Sequence, residues 1–235
     1  MVRASPPHPG EPQPRCGSPL LRGVISMMPF VSTRRGSLAI AAMLGLCGVV
    51  LCGQGLWIHA KAVLAQILLE RAFAQTLATG KAVKPWSWAD TWPEARIEVP
   101  RLGKSAIVLH GSSGQALAFG PGHVERTPNA GEPGTAVYAA HRDTHFAFLA
   151  DVAIGDEVRV TRQDGAVFRF RVTQTAVVPW DASDIDPLAP GRRLVLATCW
   201  PLDGKFASPL RYLVQAEMIG TAALDSSQAQ RRFSR

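Results

Sequence analysis

A thiol, an imidazole and a guanidinium are enough to transfer an acyl group, and the chain holds each within or just beyond an apolar stretch. The stretches are Thr135-Ala-Val-Tyr-Ala-Ala-His141-Arg142-Asp143-Thr144, Leu194-Val-Leu-Ala-Thr198-Cys199-Trp200-Pro201 and Pro209-Leu210-Arg211-Tyr212-Leu213-Val214. A thiol attacks a carbonyl as thiolate and needs a base or cation beside it. An imidazole can take that place and then hand a proton to a departing amine. The tetrahedral intermediate carries a negative oxygen, which suits the fixed charge and multiple N–H donors of an arginine. Strand ends are rigid mounts, so groups there can be held as closely as covalent catalysis requires.

Cys199 is singled out by elimination. Of the four cysteines, Cys16 lies in a proline-rich tail, and Cys47 and Cys52 lie in an apolar run, which leaves Cys199 alone in the folded part. It has no disulfide partner there, so outside the cytoplasm it is the leftover thiol to suspect of reactivity. The plainer alternative is a buried thiol packing as a small hydrophobe. Spacing does not choose the other two groups. His110, His123, His141 and His145 all fall in the β-rich region, with His141 the first choice as base and His123 the second. Arg211 competes with Arg192 and Arg193.

These groups must be positioned by a β-rich domain that follows an apolar segment. Residues 1–33 are rich in proline, glycine and arginine and read as a disordered tail. Met27 and Met28 just ahead of the apolar run are alternative starts. An uncharged run over 37–58 is long enough to cross a bilayer, and Trp57 at its far end suits the interface. Ala60-Lys61-Ala62 allows a cleaved signal peptide, but the run exceeds a signal core and a retained anchor is expected. Flanking basic residues are nearly balanced and leave orientation open. Leu69, Phe73 and Leu77 recur at helical spacing, which predicts a stalk helix from 59 to about 80, followed by a linker to residue 94 that holds Trp86, Trp88 and Trp92. These tryptophans are expected to pack on the domain rather than on a membrane. Short strands are expected near 95–99, 106–109, 135–140, 157–161, 167–177, 193–198 and 212–218, with a hairpin at Gln163-Asp164-Gly165. Seven or so strands with few long helices point to a closed barrel or a sandwich.

Val195-Leu196-Ala197-Thr198-Cys199 resembles the active-site strand of the sortases, Thr-Leu-x-Thr-Cys, with valine for the first threonine. Ala140-His141-Arg142-Asp143-Thr144 resembles their Gly-His-Arg-x-Thr segment, with alanine for glycine, and Arg211 stands where they carry an arginine on the next strand. Ile97-Glu98-Val99-Pro100-Arg101-Leu102-Gly103, Gly120-Pro121-Gly122-His123 and Gly131-Glu132-Pro133-Gly134 also resemble sortase segments. The anchor, stalk and tryptophan-rich stretch look most like the proteobacterial branch called class GN.

The resemblance implies an eight-stranded sortase β-barrel with short helices over 95–221, followed by a tail over 222–235. It implies cleavage of a Leu-Pro-x-Thr-Gly-like C-terminal sorting signal. Cys199 would be the nucleophile, His141 the proton carrier and Arg211 the oxyanion partner. Thr198 and His123 are expected to help bind substrate. The implied partners are a secreted protein bearing the signal, an amine acceptor and an inner membrane crossed once, with the catalytic domain periplasmic. Trp200-Pro201 beside the nucleophile is expected to narrow the groove.

Composition sets other classes aside. A net charge of +7 over 235 residues comes without a Lys/Arg run, zinc-finger spacing or phosphate loop, so no nucleic acid is expected. No Cys-x-x-Cys pair occurs, and neither metal nor cofactor is expected. An L,D-transpeptidase would need a Ser-x-Gly-Cys-x-Arg segment, and residues 197–201 lack its glycine and arginine. The other rival is a non-catalytic periplasmic peptide-binding domain in which Cys199 is inert.

Overall fold

The computed structural model describes residues 34–204, 206 and 208–222. The tail expected over 1–33 lies outside them, as does all but Ala222 of the tail expected over 222–235. The chain divides into two compact units, the first ending at Cys52 and the second beginning at Gly53.

Anchor and stalk form one continuous helix, α1, over Arg34–Thr79. No proline falls in it, so nothing in the backbone forces a break where the apolar run ends. In the first unit its large side chains, among them Leu38, Met43, Leu44, Val49 and Leu51, are exposed. A helix of a soluble domain buries an apolar stripe instead. Among the described residues this is the one helix long and apolar enough to cross a membrane, with a mean hydropathy of 2.1 in its most apolar window.

In the second unit the end of α1 buries Leu69 and Phe73 against Ile107, Leu109 and Ala116, with Leu77 alongside. Gln66 Nε2 donates to the Phe119 carbonyl at 2.7 Å, and Glu70 pairs with Arg96. Gly80, in the left-handed region, closes the helix with its N–H on the Thr76 carbonyl. Of the three tryptophans, Trp86 packs edge-on against Phe119 and Trp92 stacks on His110, while Trp88 stays exposed.

The rest is a closed barrel of eight strands: β1 (Pro93–Val99), β2 (Lys104–Leu109), β3 (Gly122–His123), β4 (Gly134–Ala139), β5 (Glu157–Arg162), β6 (Val167–Pro179), β7 (Arg192–Cys199) and β8 (Leu210–Ala222). Their order around the barrel is β1-β2-β3-β4-β7-β8-β6-β5, and β5 returns to β1. The β2–β3 and β4–β7 pairs are parallel, and the others antiparallel. The Asp164-Gly165 turn joins β5 to β6 as expected, with Gly165 at positive φ and Asp164 Oδ1 accepting from the Ala166 N–H.

The interior holds Ile97, Val99, Tyr138, Phe146, Phe170, Leu194, Leu196 and Val214. Each large side chain so buried contributes about 2 kcal/mol. That fixes the register of β7. A slip of one residue would turn Leu194 and Leu196 out and Val195, Ala197 and Cys199 in. The strand over-determines which face carries the thiol.

Two elements go beyond the sequence reading. β3 is two residues long, too short for any periodicity. The short helix α2 (Gly114–Phe119) starts at Ser113, whose side chain accepts from the Ala116 N–H.

Candidate active site

Cys199 is the last residue of β7 and stands directly opposite Arg211 of β8. Side chains opposed in an antiparallel pair share a face, with Cβ atoms about 5 Å apart. Leu194, Leu196 and Thr198 point into the barrel, so Val195, Ala197 and Cys199 point out. Cys199 is half-buried. Beside it the outer face is apolar: Val137, Val195 and Leu213 are buried there, and Val178 and Ile185 pack on them. Ile185 belongs to the connection between β6 and β7, which is tied down at Pro187. The Thr135 N–H donates to the Pro187 carbonyl, and Gly134 lies so close that a Cβ would sit 2.3 Å from that oxygen.

β4 brings the imidazole. It runs parallel to β7 with Ala139 beside Ala197. The ladder continues one step further, where the Ala140 N–H donates to the Ala197 carbonyl. Thr198 Oγ1 donates to the Ala140 carbonyl at 2.8 Å. Ala140 faces inward, and His141 follows it just past the end of β4, at the position that a further step of the ladder would set beside Cys199. His141 is exposed, and among the described residues its ring makes no hydrogen bond. The Arg211 guanidinium donates to the Leu210 carbonyl at 3.0 Å and meets no carboxylate among the described residues. The positions of the thiol and the guanidinium are thus opposed across β7–β8, and the imidazole follows the end of the neighbouring β4.

The other two expected site residues lie elsewhere. Thr198 is buried on the inward face, with its hydroxyl engaged by Ala140. His123 pairs with Tyr138 across β3–β4 and shares its inward face. Its Nδ1 is 2.8 Å from Glu94 Oε1 and its Nε2 is 3.0 Å from the Pro128 carbonyl. Burial disfavours the charged ring, but the hydrogen bond and charge of Glu94 outweigh it and hold His123 above the ordinary imidazole value. Glu94 mirrors this: burial alone would raise its pKa, but His123 and then His110 hold it below the usual carboxylate value. Trp200, expected to narrow the groove, stacks on Tyr212, whose strand position is opposite the inward Thr198.

The remaining competitors are also placed. Arg192 and Arg193 lie at the opposite end of β7, on the Gly131 carbonyl and near Glu217. His145 is half-buried, and burial holds it below the ordinary imidazole value against the pull of the Ala118 carbonyl.

One residue at the site escaped the sequence reading in its role. The Arg142 guanidinium folds back on Asp143 with two hydrogen bonds, 2.8 and 3.2 Å, and its Nη1 donates to the Pro201 carbonyl at 2.7 Å. Its place next to His141 was the available signal. The reach to Pro201 depends on the β7–β8 turn, which no spacing rule gives.

Comparison with known proteins covers the same region. Residues 97–219, half of the chain, match the sortase domain family. Sortase D of Bacillus subtilis (strain 168) is 27% identical over 124 residues, which are 52% of this chain and 62% of that protein. The match thus spans less than two thirds of that relative's length. Among solved structures, a Clostridium perfringens sortase D5 transpeptidase superposes with a TM-score of 0.52 at 21% identity, covering 67% of this chain and 99% of that one. Sortase A from Corynebacterium diphtheriae gives 0.52 at 21% identity, covering 69% and 87%. At such identities the likeness is one of fold.

Proposed function

The chain belongs to the sortase family of cysteine transpeptidases, and from that premise we propose that Cys199 cleaves a Leu-Pro-x-Thr-Gly-like C-terminal sorting signal and passes the protein to an amine. The observation that carries the assignment is the register: Cys199 opposite Arg211, with His141 just past the end of the parallel neighbour.

The Cys199 thiolate adds to the threonine carbonyl carbon, and the C=O π pair moves onto oxygen, where the N–H groups of Arg211 receive it. Collapse restores the carbonyl and breaks the C–N bond to glycine, while His141 gives its proton to the departing nitrogen. A thioacyl enzyme remains. An incoming primary amine adds to the same carbon and yields its proton to His141, and the Cys199 sulfur leaves as thiolate. Thr198 acts through the backbone: its bond to Ala140 fixes the residue before His141 against the residue before Cys199.

Partial exposure of Cys199 favours this over an inert structural thiol, which would belong on the inward face with Thr198. The apolar α1 serves as a single inner-membrane anchor, and we place the barrel in the periplasm, where a secreted partner would pass. Assignment to the class GN branch belongs to this proposal and rests on the sequence resemblance of the anchor, stalk and tryptophan-rich stretch.

Full-length protein in detergent micelles, mixed with a peptide bearing the signal, should gain the mass of the acyl fragment. It should also be alkylated by iodoacetamide at Cys199 without denaturant. Cys199→Ala should give neither adduct nor cleavage. Peptide cleavage by Cys199→Ala at the wild-type rate would overturn the mechanism.

A further inference from the structure

The mechanism above leaves one cation beside the thiol unused. Cys199 and His141 both sit where the strand ladder stops. The last links between their two strands are the Ala140–Ala197 backbone bond and the Thr198–Ala140 bond, each one residue short of a reactive group. Beyond them, the Arg142 side chain spans from the residue after His141 to the carbonyl of Pro201, two residues after Cys199. Asp143 grips the guanidinium from the other side through Nε and Nη2. The β7–β8 turn packs on this pair. Gly204 lies at positive φ, and a Cβ there would sit 3.3 Å from Asp143 Oδ1 and 3.7 Å from Arg142 Nη2. Only 14% of the Arg142 side chain is exposed, so this is a seated guanidinium and not a loose surface one.

We propose that Arg142 is a positioning residue: held by Asp143, it clamps the His141 segment to the Cys199 segment and keeps a fixed positive charge beside the sulfur. This rests on Cys199 and His141 being the reactive pair. Two features of arginine fit the task. Its planar fork satisfies a carboxylate and a carbonyl at fixed angles, which a lysine cannot do. Its charge also stays when the thiolate is consumed and regenerated. The hydrogen bond between the two side chains holds Asp143 below the usual carboxylate value and Arg142 above its own, so the pair stays charged. The clamp thus sets the sulfur–imidazole separation on which proton transfer depends.

The test separates the two effects. In full-length protein, Arg142→Ala should lower kcat for the signal peptide by about 10²-fold, the scale of a misplacement of about 1 Å, with KM within about twofold. It should also slow iodoacetamide labelling of Cys199, a reaction that does not need the peptide groove. Arg142→Lys keeps the charge and loses the fork, so labelling should return toward wild type while kcat stays depressed. Asp143→Asn should lower kcat as well, because the fork loses its grip. If Arg142→Ala proves unstable, Arg142→Lys and Asp143→Asn carry the same comparison. A kcat within twofold of wild type in the folded variants would overturn the clamp. So would labelling and kcat that fall together with melting temperature in every variant. Failure of the sortase reading looks different: wild-type protein would then form no acyl adduct.

Discussion

The two histidines that the sequence ranks first and second end in opposite surroundings. His123 lies on the inward face, 9% exposed, with one ring nitrogen on the Glu94 carboxylate and the other on the Pro128 carbonyl. Thr127 Oγ1 also lies 3.0 Å from the second nitrogen, and the Glu94 charge favours the protonated ring. His141 is exposed at the end of β4, with no hydrogen bond to its ring among the described residues. A proton carrier must release and recover a proton within one turnover, and a ring locked between two acceptors cannot. An imidazole with free nitrogens at an open edge can. Surroundings, not residue type, separate the two: one ring is tied into the barrel, and the other is open to solvent.

Substitution should separate them most sharply at His141. His141→Ala should lower kcat for the signal peptide by about 10³-fold, within the usual range for a lost general acid–base, and leave the melting temperature near that of wild type. Near wild-type turnover in His141→Ala would erase the distinction from one side. His123→Ala should do the reverse. It leaves the Glu94 carboxylate buried with only the more exposed His110 within reach, and breaking a buried pair costs about 3 kcal/mol. The variant should melt well below wild type, yet turn over normally at a temperature where it stays folded. A selective loss of kcat there would return His123 to the substrate groove.

How much of this was legible in the chain follows from what each feature depends on. The alternation of Phe168, Phe170 and Val172 and the Asp164-Gly165 turn are local, and both appear in the structure where the sequence puts them. So does the helical row of Leu69, Phe73 and Leu77. The eight-strand count came from family likeness, because β3 is a pair of residues held by its neighbours rather than by its own pattern. The choice between His123 and His141 depends on Glu94, far away in sequence, and that partner is recruited by strand pairing alone. Arg142 illustrates the same limit. Its neighbour Asp143 is visible in the chain, but the Pro201 carbonyl that gives the side chain its direction is not.

The smallest expected effect is the pH dependence of stability, and it probes the buried half of the comparison without any substitution. The folded state holds His123 above its ordinary value of 6.5. Its contribution is therefore fully present below 6.5 and lost as pH rises through the elevated folded value. The folded state holds Glu94 below its ordinary value of 4.5, so its contribution is present above 4.5 and lost as pH falls through the depressed folded value. The pair should thus stabilise the barrel most between about 4.5 and 6.5, with a decline on the alkaline side that belongs to His123. Melting curves across that alkaline limb, run for wild type and His123→Ala, should show the decline in the first and a flatter profile in the second. His110, which also faces Glu94, is half-exposed and remains in both proteins. Identical slopes would mean that the buried ring is neutral in the folded protein, and the contrast with His141 would then rest on burial alone.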